Sequence, residues 1–243
     1  MQATSLKTRK GFNIPRNRLK IFDAAGTLIH LKLNVGLIYS QFSQRIGVAV
    51  PRETIDSAFH EAFKRAPEMV FPNISFDEVR DAEKNWWKDR VKETFEGANA
   101  PIPEELFEVF FNQLWNYFGK AENWSASDEI RPLLLKLKKE GYQLAILSNF
   151  DLRLLKILEG LNLADMFDEI VLPSFARSAK PSPEIFRYCL EQLHVHPSQA
   201  IYVGDDPKKD IEGAKGARIQ AINIQELATL DELLEKAKET LVP

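Results

Sequence analysis

Four groups of polar residues stand where short apolar runs end, and together their types describe one kind of chemistry. Asp23 follows Leu19-Lys20-Ile21-Phe22 and precedes Ala24-Ala25-Gly26-Thr27-Leu28. A carboxylate at the end of a buried strand can attack an electrophilic phosphorus or carbon and form a covalent intermediate. It can also close an Asx-turn over Gly26-Thr27. Ser148-Asn149 closes the run Leu144-Ala145-Ile146-Leu147, where the hydroxyl and the following amides could bind a phosphoryl oxygen. Asp151 is at least as good an N-cap for the next helix, which leaves Ser148 for a ligand. Lys180, downstream of Ser174 and followed by Pro181, could neutralise a phosphate and sit between carboxylates, while Pro181 restrains its backbone toward an extended shape. Val203-Gly204-Asp205-Asp206 with Asp210 collects hard oxygen donors. Mg²⁺ commonly takes one or two carboxylates, several waters and a substrate phosphate. Asp23 and Asp205 could supply those carboxylates, with Asp206 and Asp210 in or next to the metal's shell. Asp206 also suits the cap of a helix starting near Lys208, a role compatible with a metal at Asp205.

Other candidates stay open. His30, His60, His194 and His196 show no spacing tied to these acids. Trp86-Trp87 could line a pocket, although packing within their own segment suits them better. Lys64 belongs to an amphipathic segment and could face a site or solvent.

These groups need elements to hold them. From Ser127 onward, helical periodicity alternates with short apolar runs: a helix over 128–140 ending at Gly141, a strand over 142–147, and a helix over 152–161. A strand over 169–172, a helix over 183–193 opened by Pro183 and a strand over 200–203 come next, then a helix over 208–215, a run over 218–223 and a closing helix over 229–240. Strands separated by single helices imply right-handed crossovers and a parallel sheet. Between the first strand and this region, residues 35–118 follow helical spacing, as in Val35, Ile38, Tyr39, Phe42 and Ile46, and contain three to five helices. The expected fold is α/β, a doubly wound parallel-sheet core over 19–30 and 125–243. A helical insert occupies 31–124 and a basic tail 1–18. Ligands of such sheets collect outside the carboxyl ends of the strands, where all four polar groups fall.

The bulk properties narrow the classes. The 243 residues are 44% hydrophobic and 28% charged, with a net charge of −3, an ordinary globular balance without the basic footprint of a nucleic-acid binder. The single cysteine, Cys189, excludes an intrachain disulfide and fits a reducing cytoplasm. No apolar stretch approaches the roughly 18 residues of a membrane span.

Taken as a set, the four groups in this order and spacing resemble the haloacid dehalogenase-like (HAD) hydrolases, over residues 19–30 and 125–225. The helical insert is similar to the cap of the subfamily that contains 2-haloacid dehalogenases, phosphoglycolate phosphatase and phosphonoacetaldehyde hydrolase. Phe71-Pro72-Asn73, Trp86-Trp87 and Ser148-Asn149-Phe150-Asp151 carry a closer likeness within it. The resemblance implies Asp23 as nucleophile, Thr27, Ser148, Asn149 and Lys180 around the phosphate, and Mg²⁺ on Asp23, Asp205, Asp206 and the backbone carbonyl of Ala25. It implies a small phosphorylated substrate; the aromatic-rich insert could bury its surface against the core or a second chain, so a monomer or homodimer is expected.

Ala25 departs from the pattern. Phosphatases of the superfamily have Asp there, which protonates the leaving alcohol and then activates water. Loss of such a group typically costs about 10²–10⁴ in rate. Phosphonoacetaldehyde hydrolase has Ala at that place and uses a cap lysine, for which Lys64 is the candidate here. Dehalogenases have Tyr there and use no Mg²⁺, which the retained Asp205-Asp206 argues against. Binding without turnover is the remaining alternative.

Overall fold

The computed structural model describes residues 19–227 together with 229, 232 and 236. The tail 1–18 lies outside them, as does almost all of the closing helix expected over 229–240. Five strands form one parallel sheet: β1 (Leu19–Phe22), β4 (Gln143–Leu147), β5 (Glu169–Val171), β6 (Ala200–Gly204) and β7 (Gln220–Asn223), in the order β5-β4-β1-β6-β7. β1 is therefore the central strand, in register with Gln143–Ile146 on one side and Ala200–Val203 on the other.

Both faces of this sheet are covered, so its strands are nearly continuous apolar runs. The period of two sends Leu19, Ile21, Ala145, Leu147 and Tyr202 to one face, against α8 (Pro183–Gln192), which follows the short α7 (Pro173–Ala176), and α9 (Gly213–Gly216). Phe22, Leu144, Ile146, Ile201 and Val203 face α5 (Ile130–Lys139) and α6 (Arg153–Gly160) on the other.

The helical insert leaves the core through a short antiparallel ribbon, β2 (His30–Leu31) paired with β3 (Trp124–Ser125). Between them lie α1 (Val35–Arg45), α2 (Arg52–Arg65), α3 (Phe76–Gly97) and α4 (Glu104–Phe118). These helices enclose an apolar core of their own, which includes Ile38, Ile55, Phe95, Phe110 and Leu114. Their ends follow local chemistry. Asn34 caps α1 by accepting from the Leu37 amide, and Ser75 and Glu78 form a capping box at the start of α3.

Two expected elements differ. The helix over 208–215 is a π-helical turn, Pro207–Glu212, followed by α9. The run from Arg218 pairs only from Gln220, because Arg218 turns the chain with φ +62°. No helix of the described residues is long and apolar enough to cross a membrane.

Candidate active site

β1 delivers Asp23 to the centre of the sheet's carboxyl edge. The Asp23 amide donates to the Val203 carbonyl at 2.9 Å, continuing the β1–β6 pairing by one residue. The chain then turns back, with Leu28 N and Ile29 N donating to Ala24 O. Gly26 has φ +98°, and a Cβ there would lie 2.6 Å from Asp205 Oδ2. Glycine thus satisfies two demands, a left-handed turn and close approach to a carboxylate. Thr27 completes the contact by donating from Oγ1 to Asp205 Oδ1 at 3.0 Å.

Lys180 is buried and ties the end of β1 to β6 and the turn that follows it. Its Nζ lies 2.7 Å from Asp23 Oδ1, 2.6 Å from Asp210 Oδ1 and 2.9 Å from the Tyr202 hydroxyl. The Tyr202 hydroxyl is also 2.8 Å from Asp210 Oδ1 and 3.1 Å from Leu147 O, with its single proton to share between them. Asp210 Oδ2 accepts the Asp205 and Asp206 amides, each at 3.0 Å. The π-helical turn makes this possible by bringing Asp210 back beneath Gly204, where a Cβ would collide with Oδ2. Burial is the largest influence on both partners of the central pair. It raises the Asp23 carboxyl above its usual range, against the pull of Lys180 and with a further push from Asp210. For Lys180 the two carboxylates outweigh burial, and the ammonium is held more firmly than usual.

Among the described residues, Asp23, Asp205 and Asp210 each place a carboxylate oxygen within 4.8 Å of the other two. Three hard donors around one point, with Lys180 as the cation between Asp23 and Asp210, leave surplus negative charge, and a divalent cation fits such a donor set. Asp210 is fully engaged by two amides, Lys180 and Tyr202. Asp205 Oδ2 and the second oxygen of Asp23 are not used by Lys180, Tyr202 or Thr27.

Two expected ligands are otherwise occupied. The Asp206 carboxylate lies outside the three-acid cluster, because Oδ1 accepts the amides of Lys208 and Lys209 as a cap. The Asn149 side chain, which lines the cleft beside Lys180, is engaged by the backbone. It pairs reciprocally with the backbone of Lys180, donating to its carbonyl and accepting its amide, both at 2.8 Å. It fixes the segment that aims Lys180. Ser148 is buried at the end of β4, with its amide on Val171 O at 3.1 Å.

Sequence reasoning missed Tyr202, hidden inside an apolar strand, and gave Asp210 too small a place. A hydroxyl-bearing aromatic two residues before Gly204-Asp205 was the available signal.

The helical insert closes over this edge. A cleft of about 500 Å³ is lined from the insert by His60, Phe63, Lys64, Met69, Trp86 and Trp87, and from the core by Asn149, Lys180, Lys208 and Lys209. Both tryptophans line this cleft, and one of them also bridges insert and core. Trp86 Nε1 donates to Pro67 O at 2.9 Å, and Trp87 Nε1 reaches the core to donate to Asp151 Oδ2 at 2.8 Å. Asp151 is fully buried and also binds Arg153, through Nε at 2.8 Å and Nη2 at 2.6 Å. Beside them Glu83 of α3 accepts the Leu152 amide at 3.0 Å and the Ser174 hydroxyl. Burial lifts the Glu83 pKa to about 7. Cys189 is buried, and its thiol is pushed up to about 12, which leaves it inert.

Comparison with known proteins agrees with this arrangement. The family model for haloacid dehalogenase-like hydrolase matches residues 18–218. The chain is 32% identical over 228 residues to haloacid dehalogenase-like hydrolase domain-containing protein 3 of Mus musculus, covering 93% of this chain and 90% of that one. YfnB of Bacillus subtilis, assigned to the HAD hydrolases and solved bound to magnesium, superposes with a TM-score of 0.69 at 17% identity, over 92% of this chain and 100% of that chain. The L-2-haloacid dehalogenase of Xanthobacter autotrophicus gives 0.60 at 18%, over 93% and 84%. At such identities the two structures share the fold alone. The family match and the identity to the mouse protein go further: this chain belongs to the haloacid dehalogenase-like hydrolases.

Proposed function

We propose that the chain is a Mg²⁺-dependent phosphatase-type hydrolase of small phosphorylated metabolites, acting through an aspartyl-phosphate on Asp23. The carrying observation is the surplus of carboxylates at the strand ends, Asp23, Asp205 and Asp210 against the one ammonium of Lys180. Mg²⁺ held by Asp23, Asp205 and the Ala25 carbonyl would supply positive charge to the phosphoryl oxygens.

The chain's own groups supply the rest. Lys180, fixed by Asn149, Asp210 and Tyr202, neutralises an equatorial phosphoryl oxygen as Asp23 attacks in line, and the Ser148 hydroxyl donates to another. Thr27 fixes the Asp205 carboxylate. At the cleft's mouth Lys64, Lys208 and Lys209 attract an anionic substrate, and Phe63 with the tryptophans covers it from water. The net charge, the single buried cysteine and the size of the cleft fit a cytoplasmic enzyme of small molecules, as a monomer or homodimer.

Ala25 removes the usual proton donor, so leaving groups that need little protonation should react fastest. A panel of aryl and alkyl phosphates, phosphonates and haloacids, with and without Mg²⁺, tests this. Mg²⁺-dependent aryl phosphate turnover that disappears in Asp23→Asn is expected, and no phosphate turnover with Mg²⁺ demonstrably bound would refute the reading.

A second reading draws on Lys64, which lines the same cleft as Lys180. Carbon–phosphorus cleavage through a lysine imine would be revealed by borohydride trapping of an aldehyde substrate on Lys64. Metal-independent halide release would instead mark a dehalogenase, and ligand-induced stabilisation without turnover a binding protein.

A further inference from the structure

We infer that His60, on helix α2 of the insert, supplies the proton chemistry that Ala25 cannot; this rests on the phosphatase reading above. The catalytic edge is bordered by two spaces. One is the cleft containing Asn149 and Lys180; the other, about 630 Å³, is lined by Ala25, Gly26 and Ile29 of the nucleophile loop. Among the described residues, His60 is the one residue that lines both.

The helix explains how. Asp56 and Phe59 line the space beside Ala25, whereas Phe63 and Lys64 line the cleft beside Lys180. Positions 56, 59, 60, 63 and 64 follow the i, i+3, i+4, i+7, i+8 spacing of a single helix face. That face borders both spaces, with His60 where they meet. Asp56 is committed elsewhere, since its Oδ1 accepts the Gly36 amide at 2.8 Å. His60 is exposed. Imidazole is the side chain suited to give and take a proton near neutrality.

The chemistry balances. Asp23 forms a bond to phosphorus, the bond from phosphorus to the leaving oxygen breaks, and that oxygen keeps the electron pair and takes a proton from the His60 imidazolium. The alcohol departs. The neutral imidazole then takes a proton from water as the water oxygen bonds to phosphorus and the aspartyl oxygen leaves. Asp23 is restored as carboxylate, His60 as imidazolium, and the net reaction is hydrolysis of one phosphate ester.

The test compares glycerol 1-phosphate, an alkyl ester, with 4-nitrophenyl phosphate, whose leaving group needs no proton. Both are measured with Mg²⁺ on wild type, His60→Asn and His30→Asn, with thermal melts to verify folding. His60→Asn should lower kcat/KM for the alkyl ester by about 10²–10⁴ while changing kcat/KM for the aryl ester little, since only the later hydrolysis of the shared intermediate involves His60 there, and His30→Asn should change neither selectively. Added imidazole, or Ala25→Asp in the His60→Asn background, should restore alkyl turnover. A parallel fall in kcat/KM on both esters, no fall, a selective fall in His30→Asn instead, or a wild type active on the aryl ester alone would overturn the role of His60 and leave the phosphatase reading intact. A wild type active on neither ester would overturn both.

Discussion

Two buried polar clusters hold this molecule, and each has more carboxylates than cations. At the strand ends, Asp23, Asp205 and Asp210 share the single ammonium of Lys180. Where the insert meets the core, Glu83 and Asp151 stand near the single guanidinium of Arg153, which Asp151 takes in bidentate fashion while its Nη1 donates to Trp115 O at 3.1 Å. The surplus is handled differently. Glu83 has a hydroxyl and an amide to accept from but no hydrogen-bonded cation, and burial lifts its pKa to about 7. The strand-end acids instead draw on more donors, Lys180, two backbone amides, Tyr202 and Thr27, although burial still raises the Asp23 carboxyl above its usual range. One cluster closes an interface, whereas the other keeps negative charge ready for a cation.

Removing Lys180 should break this contrast most severely. Lys180→Met leaves the Asp23 and Asp210 carboxylates buried without their cation, a change that typically costs about 3–5 kcal/mol, together with phosphate turnover. Urea unfolding of this variant should show the loss, and Lys180→Met combined with Asp210→Asn should recover a measurable part of it. Recovery of nothing would mean that the two carboxylates do not repel across the vacated position.

Next in size is the pH dependence of the interface. Because the folded-state pKa of Glu83 is raised, its stabilising contribution is complete below its ordinary value of 4.5 and is lost as pH rises through about 7. The loss is at most about 3 kcal/mol. Between pH 5 and 8 the melting temperature of wild type should therefore fall relative to that of Glu83→Gln, which cannot ionise. Parallel curves for the two proteins would show that Glu83 is not the group titrating.

The smallest of the three effects sharpens the metal side. Gly26→Ala puts a methyl group where Asp205 Oδ2 lies and forces a side chain into φ +98°. Displacing a ligand's support commonly costs about 10–100-fold in metal affinity, which Mg²⁺ titration calorimetry would read directly. Affinity equal to wild type would separate Asp205 from the metal.

The two clusters also differ in how far they could be read from sequence. Asp23, Ser148, Lys180 and Asp205 follow apolar runs, and a parallel sheet gathers such positions at one edge whatever the order of its strands. Their convergence was therefore legible, although the order β5-β4-β1-β6-β7 was not, since an insert separates β1 from its neighbours. Asp210 was underrated because a π-helical turn, not the expected regular helix, returns it beneath Gly204. Tyr202 was missed because its ring serves the core while its hydroxyl serves the site. The interface was invisible. Glu83, Trp87 and Arg153 lie on elements with ordinary amphipathic spacing, and only the docking of α3 on the loops after β4 and β5 brings them together. His60 is hidden in the same way, since its relation to Ala25 exists only through the placement of α2.

The central claim is that Asp23 becomes phosphorylated. Rapid acid quench of the full chain during turnover of 4-nitrophenyl phosphate with Mg²⁺, followed by intact and peptide mass spectrometry, tests it directly. The account predicts one phosphoryl group on the peptide containing Asp23, absent without Mg²⁺ and absent in Asp23→Asn. Turnover with no phosphorylated Asp23 at any quench time, or with a rate unchanged in Asp23→Asn, would contradict it.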